Sequence, residues 1–281
     1  MGSNIEAWVR QAKEGRRDAL EELVRHIQDR VYGLSLRMLG HPADAEDASQ
    51  EILIKVITHL DGYREESAFT TWVYRVASNH LLTTHKRRAE RMTLTFSLFE
   101  EQLHKAQNGT FPTSPITPEQ EFLIEEERAN CIQGMLLCLS RDLRLAFILG
   151  VVFGLSSQEG AYIMDTTPAA FRKRVSRGRS GIEAFMRKNC GLVNSANPCQ
   201  CARLVPYDIQ VGWIDPEQPL YASRNKRSEV DPDIRERLEG LDEIERVAVL
   251  FRTYPQQDPP ESFLDLVKGL LGSANPGSQV E

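Results

Sequence analysis

The chain has 281 residues, is 41% hydrophobic and 26% charged, and carries a formal net charge of −6. That length buries a sizeable core and suits two or three small domains. No apolar stretch is long enough to span a bilayer, and Glu6, Arg10 and Lys13 interrupt any signal-peptide core, so a cytoplasmic protein with no membrane partner is expected. The five cysteines, odd in number and unevenly placed, argue for reduced thiols or a metal site and against a disulfide framework.

From Ile5 to about Arg91 the pattern predicts helices. Leu20, Leu23, Val24, Ile27, Val31, Leu34 and Met38 recur at three- and four-residue steps until Gly40, His41 and Pro42 end the run. A second helix starts near Ala43, carries Ala48, Ile52, Val56 and Leu60, and breaks at Asp61 and Gly62. A third covers roughly 70–88. Residues 92–118 hold Asn108, Gly109, Pro112, Pro115 and Pro118 among polar neighbours and are read as a mobile interdomain linker.

A further helical block covers 119–188. Ser156 followed by Glu159 fits a capping box, and Thr166 or Thr167 before Pro168 fits an N-cap with proline in the first turn. Two short helices therefore flank a turn near Met164 to Thr167, the helix-turn-helix pattern. Residues 189–281 form an extension. Pro198, Pro206, Pro216 and Pro219 break its first part. Asp231 and Pro232 could start a helix with Ile234, Leu238, Leu241, Ile244 and Val247, and Pro259 and Pro260 another with Phe263, Leu266, Val267 and Leu270. The expected fold is all-α: two helical domains, 5–91 and 119–188, joined by the 92–118 linker and followed by a mainly helical extension.

The negative charge argues against phosphate binding until its distribution is read. Residues 189–281 contain nine basic and fifteen acidic side chains and so hold the whole excess. Arg172, Lys173, Arg174, Arg177, Arg179, Arg187 and Lys188 meet the single acid Glu183 within 168–188, a basic footprint on the second helix of the helix-turn-helix pattern. No phosphate-cradling glycine loop, paired catalytic carboxylates or complete metal-hydrolase motif is present, which excludes the common enzyme readings.

Two blocks resemble the extracytoplasmic-function (ECF) sigma factors of bacterial RNA polymerase. The first is H-P-A-D-A-E-D-A-S-Q-E from His41 to Glu51 with Y-R-E-E-S-A-F-T-T-W-V-Y-R-V-A-S-N from Tyr63 to Asn79, similar to sigma region 2. The second is L-S-R-D-L-R-L-A-F from Leu139 to Phe147 with G-L-S-S-Q-E-G-A-Y-I-M-D from Gly154 to Asp165, similar to sigma region 4. The resemblance implies a promoter-specific initiation factor with core RNA polymerase and promoter DNA as partners.

Asp44, Asp47, Gln50 and Glu51 lie along adjacent helical turns as a polar stripe suited to a basic surface, which the resemblance makes the polymerase clamp. The aromatic-rich segment followed by Lys86, Arg87 and Arg88 pairs stacking groups with phosphate-binding charge. The resemblance assigns Arg64, Ser67, Ala68, Phe69, Trp72, Arg75 and Asn79, with those three cations, to the minus-ten element. There Asn79 aligns with an asparagine reading a flipped base, and the loop from Arg64 to Ala68 completes the pocket. Phe69 and Trp72 also fit a core role. By the same resemblance Arg172 and Arg177 hold phosphates and Lys173 and Ser176 approach bases of the minus-thirty-five element, although Thr167, Pro168, Ala169, Ala170 and Phe171 depart from the family's usual opening.

Cys190, Cys199 and Cys201 form a C-x8-C-x-C group that could take zinc or a softer metal, yet tetrahedral closure needs a fourth ligand and no histidine follows His104. A reduced or redox-responsive cluster is the alternative, and no cofactor is required. Cys131 and Cys138 read as small core residues. The acidic extension follows the basic helix directly, so either it docks there as an inhibitor, alone or beside a separate anti-sigma protein, or it is a permanently packed stabilising domain. The competing function is a stand-alone helix-turn-helix regulator, which has no need of the first block.

Overall fold

The computed structural model describes residues 2–83, 94–108, 118–222 and 234–255, together with Phe263 and Gly269. Its helices are α1 (Gly2–Lys13), α2 (Arg17–Leu39), α3 (Pro42–Thr58), α4 (Phe69–Thr83), α5 (Phe96–Asn108), α6 (Pro118–Leu137), α7 (Arg141–Phe147), α8 (Ser157–Ile163), α9 (Pro168–Asn189), α10 (Cys201–Gln210), α11 (Ile234–Leu238) and α12 (Glu243–Thr253). Among the described residues the fold is all-α. The one β-type feature is an isolated bridge between Cys190 and Cys199.

The helix ends follow the local chemistry. Gly40 stops α2 at φ 74°, a left-handed conformation that suits glycine, and returns its N–H to the Leu36 carbonyl. Pro42 opens α3 in its first turn. Each apolar residue read from Leu20 to Met38 is buried, packing α2 against α1, α3 and α4.

The 92–118 stretch is not a linker throughout. Within it α5 buries Phe99, Leu103 and Ala106, and Phe99 stacks on Phe185 of α9 with centroids 5.4 Å apart. The three apolar residues stand at four- and three-residue steps, so one face of α5 has a place in the core, and the prolines all fall after it. In the extension the single helix read from Ile234 to Val247 splits at Gly240 (φ 72°), after which Asp242 and Glu245 form a capping box for α12. The helix read after Pro260 lies outside the described residues except for Phe263, which is fully buried against Tyr32 of α2.

Two helical bodies meet along a seam. Arg144 of α7, 4% exposed, donates to the carbonyls of Leu136, Leu139 and Met38, so one guanidinium joins α6 and α7 to the end of α2. Gln133 of α6 donates to the Arg37 carbonyl at 3.0 Å. On the same seam α4 lies against α2 and α3 with one side and against α8 with another.

Candidate nucleic-acid interface

The loop before α4 is shaped by a cluster of three rings. Phe69 and Trp72 stack with centroids 5.9 Å apart, and Tyr63 meets both, at 5.4 and 5.5 Å. Lys13 of α1 donates to the Tyr63 carbonyl at 2.6 Å, and the Tyr63 hydroxyl donates to the Ser67 carbonyl at 2.7 Å. Inside this frame Glu65 takes φ 60°, a left-handed backbone unfavourable for glutamate, with Arg64, Glu65, Glu66 and Ala68 exposed at the tip. Phe69 is buried and Trp72 half-buried, so the rings brace the loop from beneath.

Asn79 is exposed on α4, about 15 Å along the helix from the loop at 1.5 Å per residue. Arg75, midway between them, is engaged by the other body: its guanidinium lies 3.2 Å from the Asp165 carboxylate and 4.7 Å from the centre of the Tyr162 ring. Lys86, Arg87 and Arg88 lie outside the described residues.

The helix-turn-helix consists of α8 and α9. Ser156 accepts from the Glu159 N–H, and Glu159 accepts from the Ser156 N–H, so the capping box is complete. Asp165 turns the chain at φ 49°, and Thr167 caps α9 by accepting from the Ala170 N–H at 3.1 Å. Phe171, 2% exposed, packs its ring where Gly160 has no side chain; a Cβ there would stand 2.2 Å from the ring. With Phe171 held inward, Arg172, Lys173, Ser176 and Arg177 are exposed on α9, and Arg172 also reaches the Ser157 hydroxyl at 3.3 Å. Four polar donors on one open helix can meet phosphates and base edges in a groove.

On α3 the four polar residues do not make one exposed stripe. Asp44 is buried, in the helix's first turn, where a carboxylate offsets the helix dipole. Gln50 is half-buried, and Asp47 and Glu51 are exposed. Glu51 also faces His80 of α4 at 3.6 Å, a link across the two helices.

Cys190 caps the end of α9, Cys199 pairs with it through the bridge, and Cys201 opens α10. Their thiols are pushed up by burial, that of Cys190 to about 11. Cys131 of α6 and Cys138 pack against the hydrophobic core, as their helical spacing suggests, and burial raises the Cys131 thiol well above the usual range. Among the described residues no group of three or more His, Cys, Asp or Glu side chains is arranged to hold a metal ion. No described helix is long and apolar enough to cross a membrane.

Residues 23–91 match the family Sigma-70 region 2, and residues 129–180 match Sigma-70, region 4. The chain is 33% identical over 181 residues to the ECF RNA polymerase sigma-E factor of Haemophilus influenzae, covering 63% of this chain and 93% of that protein. It is 30% identical over 178 residues to the ECF RNA polymerase sigma-E factor of Escherichia coli K12, covering 62% and 90%. Against the ECF RNA polymerase sigma factor SigW of Bacillus subtilis the identity is 26% over 183 residues, covering 65% and 97%. These relatives are matched almost from end to end, so what remains of this chain is an addition to their plan. With both sigma regions present in order, on an all-helical fold that exposes a basic recognition helix, the chain belongs to the ECF family of RNA polymerase sigma factors, which direct transcription initiation and are not enzymes.

Proposed function

We propose that this sigma factor divides promoter recognition between α4 and α9. The loop at 64–68 and Asn79 take the melted minus-ten strand along α4, with Arg75 supplying charge between them once its contacts to Asp165 and Tyr162 part. Arg172, Lys173, Ser176 and Arg177 take the minus-thirty-five duplex, the arginines on phosphates and the other two towards bases. Asp47 and Glu51 form the exposed part of the face offered to core polymerase; buried Asp44 supports the helix that presents them. The domains read as 5–91 and 119–188 then act as the two DNA-reading units. Buried Cys199 and half-buried Cys190 and Cys201, with protonated thiols, brace the junction with the extension, and initiation requires no cofactor.

The observation that supports this reading best is Phe171, whose inward packing leaves the four polar residues of α9 facing outward. The test is reconstitution of the chain with core RNA polymerase and mapping of transcript starts on genomic DNA. Starts that share minus-ten and minus-thirty-five sequences, and that are lost with Asn79→Ala, are the expected result. Duplex binding without core polymerase binding and without promoter-dependent transcripts would favour the stand-alone regulator.

A further inference from the structure

We propose that the described parts of the extension, residues 189–222 and 234–255, act as an intramolecular clamp that holds the region 2 and region 4 bodies closed, with one side of α4 covered, until core polymerase displaces it; this rests on the sigma-factor function above. The extension does not lie on the DNA-reading residues of α9, as charge alone suggests. Arg172, Lys173, Ser176 and Arg177 stay exposed, and the described ion pair between α9 and the later part of the extension is Arg187 with Glu243, at the far end of the helix. The extension instead follows the seam.

Three anchors hold it there. Glu126 of α6, 1% exposed, accepts from three successive N–H groups, those of Leu220, Tyr221 and Ala222, at 2.7 to 2.8 Å, and the Tyr221 hydroxyl then donates to the Gly40 carbonyl at the end of α2. A buried carboxylate satisfied by three backbone donors fixes this segment on the α6 side, while the tyrosine pins it to region 2. The second anchor is Tyr254, whose hydroxyl donates to Glu125 of α6 at 2.5 Å while its carbonyl and that of Pro255 accept from Arg37 of α2 at 3.5 Å. The third is α12, where Phe251 meets Phe147 edge-on at 5.0 Å, both rings fully buried, and Arg252 donates to the Val151 carbonyl. Two anchors thus bridge both bodies, and the third binds α12 to the region 4 side.

The closed arrangement is incompatible with a promoter. In it α8 touches α4, and the Asp165 turn between the two helix-turn-helix helices sits on Arg75. Elements named for positions ten and thirty-five lie about 25 base pairs apart, about 85 Å of duplex at 3.4 Å per pair. Units in contact cannot read both at once, so the seam has to part, and the two anchors that bridge the bodies oppose that, while the third keeps α12 seated beside them.

The experiment places fluorescent noncanonical residues at exposed Asp29 on α2 and Ser180 on α9 of the full chain and follows energy transfer between them. It also measures binding of the free protein to a non-template minus-ten oligonucleotide from a promoter mapped as above. High transfer in the free chain and low transfer in the holoenzyme are expected. Phe251→Ala should lower transfer and raise oligonucleotide binding at least tenfold without loss of helical content, with transcription at saturating core polymerase unchanged. The double variant Tyr221→Phe with Arg252→Ala removes two hydrogen bonds but no buried ring, and should give about a threefold rise. Unchanged transfer and binding in both variants, wholesale loss of helix in both, or high transfer persisting in a transcribing holoenzyme would each overturn the clamp. Failure to bind core polymerase at all would instead strike at the sigma-factor reading, leaving the free-chain measurements to judge the clamp alone.

Discussion

The two helices proposed to read DNA differ in what stands in front of them. Along α9 the four polar residues that follow Phe171 face solvent, and its cap and its anchoring ring both lie within the helix-turn-helix itself. By contrast α4 has α8 against one side, and Arg75, central to its polar face, is already engaged by Asp165 and Tyr162. On the proposed reading, the same chain offers one reader ready for duplex DNA and one that waits for a rearrangement. Electrostatic capture of a promoter and the reading of its melted strand are separable steps, and variants should separate them.

The largest effect is expected at Arg144, which ties the two bodies together and so sets how α4 is covered. Arg144→Ala leaves the carbonyls of Met38, Leu136 and Leu139 without their buried donor and should cost about 3 to 5 kcal/mol, read as a lowered thermal midpoint. A change under 1 kcal/mol would mean that the seam does not depend on it. Next, Asn79→Ala should reduce promoter opening by about tenfold to a hundredfold, since a good base-edge contact is worth roughly 1–3 kcal/mol, while leaving duplex capture by α9 intact. Permanganate footprinting against filter binding separates the two, and equal losses would erase the distinction between the helices.

On the other side of the comparison, Arg172→Ala and Arg177→Ala should each weaken duplex binding for all sequences alike and lower the salt slope by about one. A loss confined to one promoter sequence would move that arginine from phosphate to base.

The smallest effect concerns neither helix. Burial and a hydrogen bond with Asp208 of α10 hold the Glu127 carboxyl well above its usual 4.5, and Asp208 is raised as well. A carboxyl raised on folding supports stability below its unfolded value and loses that contribution as pH rises through the folded one. Unfolding free energy should therefore fall by up to about 1.4 kcal/mol per pH unit above 4.5, and Glu127→Gln should flatten that slope without altering DNA binding. Denaturant titration across pH checks it.

Features encoded over a few residues were legible in the sequence: the Gly40 stop, the Ser156 and Glu159 box, a threonine cap before Pro168 that the structure narrows to Thr167, and the basic run on α9. Region 2 and region 4 were readable because their motifs are short and stand in order. Less was visible where partners lie far apart in sequence. Nothing near Glu126 announces that it will accept from residues 94 to 96 positions later, and Asp44 reads like its exposed neighbours Asp47 and Glu51 until the packing of α3 buries it. The α5 helix was legible in principle, since Phe99, Leu103 and Ala106 have helical spacing, but the prolines beyond it outweighed that signal.

The contact between Gly160 and Phe171 has one more consequence. Because a single missing side chain seats the ring, the angle at which α9 leaves the turn is set by a pair of residues that read no DNA. Under the proposed roles of Lys173 and Ser176, retargeting and aiming are thereby independent: either residue can change, and with it the preferred promoter, without tilting the helix that carries them. A substitution at Gly160 would do the reverse. It would leave the lettering of the recognition helix intact and swing all of it out of register, so promoter preference can drift in this chain while that pair stays locked.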